Sequence, residues 1–269
     1  MSTRLNDRLA KLKEEGRAGF VPFIMAGDRS VEMTGQLLAQ LPEYGADIIE
    51  LGMPFSDPMA DGTVIQAAGQ RALAGGMNIH AIFEQVEMFR KTDNQTPIVL
   101  MGYANPVYRY GVAAFMQDAA YCGIDGVIIV DVPPEEYDLL DESATANGIS
   151  VVRLIAPPSL ETRLPTIAQH ATGFLYYITI KGITGTGKGD YAALGGVMEQ
   201  IRQHSELPIA AGFGISSAED VAAVAEHTDL VVVGSALVKL VAEMEGQEDE
   251  AIVQAILTKC RELSAGITR

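Results

Sequence analysis

Glu50 closes an apolar run, DIIEL, and the loop after it, GMPFSDPMADG, adds Asp57 and Asp61 with no Lys or Arg between Gly45 and Gln70. A carboxyl group flanked by Ile48, Ile49 and Leu51 loses solvation when charged, so its pKa rises towards the range of a general acid or base at neutral pH. Asp61 supplies a second carboxylate, able to hold a developing positive charge or an N–H donor. The plain alternative for Glu50 is a strand-end carboxylate paired with a Lys or Arg from elsewhere in the chain.

A second set of residues suits an anion. Three glycine turns, Gly182-Ile-Thr-Gly185, Gly212-Phe-Gly214 and Gly234-Ser235, follow successive apolar runs. Main-chain N–H groups at such turns and at helix N-termini hold phosphate. One glycine turn alone is ordinary turn chemistry, but three in succession predict a phosphate cradle. The formal charge of −16 fits this division of labour, because an anionic substrate must then be gripped by main-chain N–H groups rather than by Lys or Arg. The same charge, with no basic patch, argues against nucleic acid and anionic membrane surfaces as partners. Gly182 to Gly189 imitates a nucleotide-binding P-loop up to Lys188, yet Gly189 stands where Ser or Thr would hold magnesium. The nucleotide reading is therefore set aside. Met101-Gly-Tyr103-Ala-Asn105-Pro-Val-Tyr108 is a further polar and aromatic loop, and Asp131 ends another apolar run. Cys122 and Cys260 lie far apart, and His80, His170, His204 and His227 do not gather into a ligand set, so no metal site is expected.

The elements that position these groups follow from hydrophobic period. Strands are expected at 20–25, 47–51, 97–102, 125–130, 149–154, 173–180, 207–211 and 229–233. Helices are expected at 31–43, 62–73 with 79–91, 111–122, 134–146, 159–169, 191–204, 217–226 and 235–264, the last broken near Gly246. Ser30, Ser159 and Ser216 read as N-caps, and Ser216 with Glu219 as a capping box. Strands that are apolar throughout are parallel and covered on both faces. Eight βα units in one uninterrupted domain, 1–269, predict a (β/α)8 TIM barrel of the α/β class, with active groups at the strand C-termini. An amphipathic helix at Leu5 to Leu12 plugs its floor. The glycine-rich stretch Lys181 to Asp190 is the one long loop, of the kind that is usually functional. The charged N-terminus and the lack of an eighteen-residue apolar run predict a cytoplasmic protein.

Together these segments resemble the alpha subunit of tryptophan synthase, in order along nearly the whole chain. The matching stretches are Phe20-Val-Pro-Phe23, Glu50 to Gly62, Met101 to Pro106, Asp131-Val-Pro, Gly182 to Gly185, Gly212 to Ser216 and Gly234-Ser235. The resemblance implies a lyase of tryptophan biosynthesis that splits indole-3-glycerol phosphate into indole and glyceraldehyde 3-phosphate by a retro-aldol reaction. It makes Glu50 the acid and base, and Asp61 the carboxylate that accepts the indole N–H. Phe23, Tyr176 and Phe213 match substrate-binding positions, while Gly185, Gly214, Gly234 and Ser235 match those that bind phosphate. No cofactor is implied in this chain. A beta subunit carrying pyridoxal phosphate is implied as partner in an α2β2 heterotetramer, contacted through Pro54, Asp57, Asn105 and Pro106. The sequence departs from the family at Thr63, where proline is usual, and in the loop after the sixth strand. Two competing readings are a sugar-phosphate isomerase of an amino-acid pathway on a similar barrel, and a regulatory subunit whose main task is to activate a partner.

Overall fold

The computed structural model describes residues 3–178, 191–212 and 214–267. Its strands are β1 (Gly19–Met25), β2 (Ile49–Gly52), β3 (Ile98–Gly102), β4 (Gly126–Ile129), β5 (Ser150–Val151), β6 (Arg153–Ile155), β7 (Leu175–Ile178), β8 (Ile209–Gly212) and β9 (Leu230–Val233). All pair in parallel, in the order β5-β4-β3-β2-β1-β9-β8-β7-β6. The two ends of this order are halves of one segment, separated only by Val152, whose N–H still reaches the Val127 carbonyl at 2.9 Å. The sheet therefore closes on itself as eight staves, the TIM barrel expected, with the fifth stave split because its first half pairs with β4 and its second with β7.

Side chains alternate across each strand, so every second residue points into the barrel. Val21, Ile48, Val99, Phe174, Ala210 and Val232 belong to the inner cluster, and the intervening positions pack outward against the helices. The helix α1 (Thr3–Glu15) adds Leu5, Leu9 and Leu12 to that inner cluster and closes the floor. Gly19 at the start of β1 has no room for a side chain, because a Cβ there would lie 2.6 Å from Leu12 and 2.8 Å from Leu230.

Register is pinned at the same N-terminal end by three aspartates, each just before a strand. Asp47 accepts the Phe20 N–H (3.0 Å) and a two-pronged contact from Arg17, both at 2.8 Å. Asp125 accepts the Ile98 N–H (2.8 Å) with Arg90 and Arg4 at 2.9 Å, and Asp229 accepts the Ile209 N–H (2.8 Å). Each carboxylate thus takes a main-chain donor from the neighbouring strand, and for the buried Asp47 and Asp125 these partners offset the cost of burial.

The helices that matter for the site are α2 (Val31–Gln40), α3 (Thr63–Ala74), α4 (Ile79–Arg90), α5 (Ala104–Tyr110) and α6 (Val112–Cys122), then α7 (Asp138–Ala146) and α8 (Leu164–Gln169). The set ends with α9 (Ala192–Arg202), α10 (Ala218–Ala225), α11 (Ser235–Glu243) and α12 (Asp249–Ser264). Ser30 caps α2 as expected, accepting the Met33 N–H at 3.0 Å. Two cap assignments are corrected. Ser159 ends a 3-10 turn, Pro157–Ser159, because consecutive prolines impose a tight turn, and α8 begins only at Leu164. The capping box belongs to Ser217 and Asp220, one position later than expected, with both reciprocal bonds at 3.1 Å. The loop after β3 is itself helical, since α5 precedes α6. The last two residues of the expected strand 173–180 lie outside the described residues.

Candidate active site

The inner faces of the strands continue upward by two residues from the core layer: Val21 leads to Phe23, Ile48 to Glu50, Val99 to Met101, Phe174 to Tyr176, Ala210 to Gly212 and Val232 to Gly234. All six of these next residues border one cleft of about 590 Å³ at the C-terminal mouth, together with Asp61, Ile65, Gly214, Ile215, Val232 and Ser235. Of the expected substrate and catalytic positions, Glu50, Asp61, Phe23, Tyr176, Gly214, Gly234 and Ser235 thus come together. Gly185 and Phe213, with the whole Lys181 to Asp190 stretch, lie outside the described residues.

Glu50 is 2% exposed and pairs through β2 with Phe23 of β1. No described residue gives its side chain a hydrogen bond or an ion pair. Burial, and secondarily the charge of Asp61, push its pKa up to about 8, so the side chain is neutral at pH 7. The expected alternative, an ion pair with Lys or Arg, is not found among the described residues.

Asp61 sits at the end of a folded loop. Its N–H reaches the Pro58 carbonyl (3.1 Å), and the Gln66 amide of α3 donates to its carbonyl at 2.8 Å. Burial raises its pKa, while a hydrogen bond from the Tyr103 hydroxyl opposes the rise. The loop is also stapled to β3 at its start, where the Met53 N–H meets the Met101 carbonyl at 2.7 Å. Burial raises both carboxyl groups, but Asp61 has a donor in Tyr103 that favours its charged form and Glu50 has none, so of the two Asp61 is the readier to ionise.

On the opposite side the wall is made of main chain. Gly214 takes a left-handed conformation with φ +62°, which only glycine adopts freely. Gly234 precedes α11, where the Leu237 and Val238 N–H groups turn back to its carbonyl at 2.9 and 3.1 Å. The first N–H groups of α11, at Ser235 and Ala236, have no partner within the helix and sit at its positive end. No Lys or Arg borders the cleft among the described residues, so an anion held there meets main-chain donors, as the charge of the chain required. At Gly212 a Cβ would stand 2.7 Å from the Tyr176 hydroxyl, so the absence of a side chain admits that ring.

Pro54, Asp57, Asn105 and Pro106 lie in the segments after β2 and β3, outside the cleft lining; Asp57 and Asn105 are exposed, and so is Met59, at 79%. Met101 stood in the sequence only as the start of the loop after the third strand, and Ile65 and Val232 were not singled out; the structure adds all three, with Ile215, to the cleft. Tyr103 was read only as part of a polar loop; the structure places it behind Asp61. Asp131 accepts the Ala104 N–H at 2.7 Å. Cys122 and Cys260 are buried, with thiols pushed up to about 12 by desolvation. Among the described residues no cluster of His, Cys, Asp and Glu is placed to hold a metal ion, and no helix is long and apolar enough to cross a membrane.

Comparison with known proteins bears on the family and the fold. The family model described as tryptophan synthase alpha chain matches residues 9–268. A tryptophan synthase alpha subunit from Legionella pneumophila is 39% identical, with a TM-score of 0.89 over 99% of this chain and 98% of that one. Tryptophan synthase from M. tuberculosis is 30% identical with a TM-score of 0.86, over 98% of this chain and 99% of that one. A chain of the tryptophan synthase complex from Pyrococcus furiosus is 36% identical with a TM-score of 0.81, over 91% and 97%.

Proposed function

The chain belongs to the tryptophan synthase alpha-chain family, and from that premise we propose how its residues divide the work. The activity is that of a carbon–carbon lyase of tryptophan biosynthesis, which cleaves indole-3-glycerol phosphate to indole and glyceraldehyde 3-phosphate. The isomerase alternative is not favoured by the family match. The observation that carries the assignment of roles is the convergence of Glu50, Asp61 and the glycine wall on one cleft.

The substrate phosphate lies against Gly214, Gly234 and Ser235, at the positive end of α11; Gly185, also matched to phosphate binding, lies outside the described residues. The indole ring lies between Phe23 and Tyr176, and its N–H faces Asp61; Phe213, also matched to the substrate, lies outside the described residues. Glu50, neutral at pH 7, gives its proton to C3 of the indole, and the cation that forms is stabilised by the Asp61 carboxylate. Glu50, now a carboxylate, takes the proton from the adjacent glycerol hydroxyl. The carbon–oxygen double bond forms, the bond to C3 breaks, and its electron pair restores the aromatic ring. Glu50 ends protonated, as it began. The sequence requires proton transfer and charge stabilisation alone, so no cofactor of this chain is invoked.

We further read 1–269 as a single domain, cytoplasmic, in an α2β2 heterotetramer whose beta subunit carries pyridoxal phosphate. The Pyrococcus furiosus relative, whose structure is that of a tryptophan synthase complex, supports a partner of this kind. Pro54, Asp57, Asn105 and Pro106, at the mouth beside the exposed Met59, are the contacts proposed for it. The test is indole release from indole-3-glycerol phosphate by the purified chain and by Glu50→Gln. The wild-type chain should release indole and the variant should lose nearly all turnover while remaining folded. A variant that kept most of its turnover would overturn the role given to Glu50.

A further inference from the structure

Tyr103 is 2% exposed and does not border the cleft, yet its hydroxyl makes two contacts with the loop that does. It donates to the Asp61 carboxylate and accepts the Ala60 N–H at 3.1 Å. One phenol thus fixes both the side chain and the preceding peptide of the residue that faces the reacting ring. The phenol is itself held: its ring packs on Phe55 at 5.3 Å between centroids, and the next N–H, of Ala104, is tied to Asp131 at the end of β4. Three successive loops, after β2, β3 and β4, are therefore locked together behind Asp61.

We infer that Tyr103 is a positioning residue for the cleavage, holding Asp61 in the orientation in which it meets the indole N–H. The inference rests on the role proposed for Asp61. The charged and titratable groups around the pair are few. Asp61 faces Glu50 from β2 and Tyr103 from the loop after β3; Tyr103 also feels Asp131 after β4; Glu50 also acts on Tyr176 of β7. Burial and the Asp61 charge push the Tyr103 phenol up to about 12, so it stays a donor throughout the working range. Its hydrogen bond favours the ionised form of Asp61. The active state has Asp61 ionised and Glu50 protonated, so activity is bounded on the acid side by Asp61 and on the alkaline side by Glu50.

The test is Tyr103→Phe, which keeps the ring and removes the hydroxyl. With the donor gone the Asp61 pKa rises, and the acid limb of the kcat/KM profile moves up by about one pH unit, that of one charge-assisted hydrogen bond. The alkaline limb, set by Glu50, stays in place. At its optimum kcat falls roughly ten-fold with KM changed far less, because the lost interaction acts on the cation formed during reaction. The substrate phosphate titrates alike in both proteins and drops out of the comparison. Carboxyl carbon NMR of Asp61 reads the same shift without turnover. A purely structural role would scale the whole profile down and leave both limbs where they were, and that result overturns the inference. Asp131→Ala, which frees the loop carrying Tyr103 from further away, is the second variant and should move the acid limb in the same direction by less. If Asp61→Asn and Glu50→Gln are inactive while both of these variants keep the wild-type profile, the positioning role fails and the reading of the carboxylates survives. If Asp61→Asn is fully active, that reading fails first.

Discussion

Replacing Glu50 by Gln removes one titratable group from the barrel interior, and the consequence for stability can be worked from its position. In the unfolded chain this carboxyl titrates near 4.5, whereas burial and the Asp61 charge bring it to about 8 in the fold. Between these values the folded protein holds a proton that the unfolded chain has lost. Stability therefore falls as pH rises, by about 1.4 kcal/mol per pH unit. The sign is that of any group whose pKa is raised on folding: its favourable contribution is complete below the unfolded value and is gone once pH passes the folded one. Gln carries no such dependence. Other groups are common to both proteins and cancel in the difference, apart from the Glu50 and Asp61 interaction itself. Urea unfolding of both proteins at about pH 5.5 and about pH 7.5 should show the variant gaining roughly 2–3 kcal/mol on the wild type between the two conditions. Above about pH 8.5 the gain should level off. A stability difference independent of pH would refute the claim that Glu50 is held neutral, and with it the account of a resting acid.

Two further substitutions test the geometry. Thr63→Pro restores the residue usual in the family at the first position of α3, where no N–H bond within the helix is lost; Gly62, at φ −73° and ψ 163°, already has the conformation that precedes proline. It should raise stability by about 0.5–1 kcal/mol in urea unfolding, and a loss would show that the Thr63 N–H has a partner. Gly212→Ala puts a methyl group 2.7 Å from the Tyr176 hydroxyl and 3.2 Å from the Val232 carbonyl, so the ring must shift into the cleft. Steady-state kinetics should show KM raised roughly ten-fold or more, and an unchanged KM would mean that Tyr176 does not line the substrate.

The barrel was legible because parallel strands buried on both faces are written as largely apolar runs, and Glu50 stood out as a carboxylate at the C-terminal end of such a run, ahead of a loop with no Lys or Arg. What escaped had local causes. Ser216-x-x-Glu219 and Ser217-x-x-Asp220 are overlapping copies of one signal, and only the start of α10 at Ala218 selects the second. The split in the fifth strand at Val152 leaves no mark in the apolar run, because Val152 is as good a strand residue as its neighbours. Asp47, read as the first residue of a strand, serves instead as an acceptor for the strand beside it. Tyr103 was visible as a residue but not as a partner, since its contact with Asp61 depends on two loops meeting in space.

The floor of the barrel sets a condition on how the chain is made. Leu12 of α1 and Leu230 of β9 both close over Gly19, so the first helix and the last strand help to build one corner of the floor. About two hundred residues separate the two, and at roughly 5–20 residues per second the ribosome takes about 10–40 s to make them. For that interval the apolar stripe of Leu5, Leu9 and Leu12 has no finished floor to cover. Ribosome-bound chains of increasing length should protect α1 from proteolysis only after Leu230 has emerged, and earlier protection would show another resting place. The opening segment of this protein is thus the last to find its seat, and a nascent chain must keep it out of trouble until synthesis is nearly done.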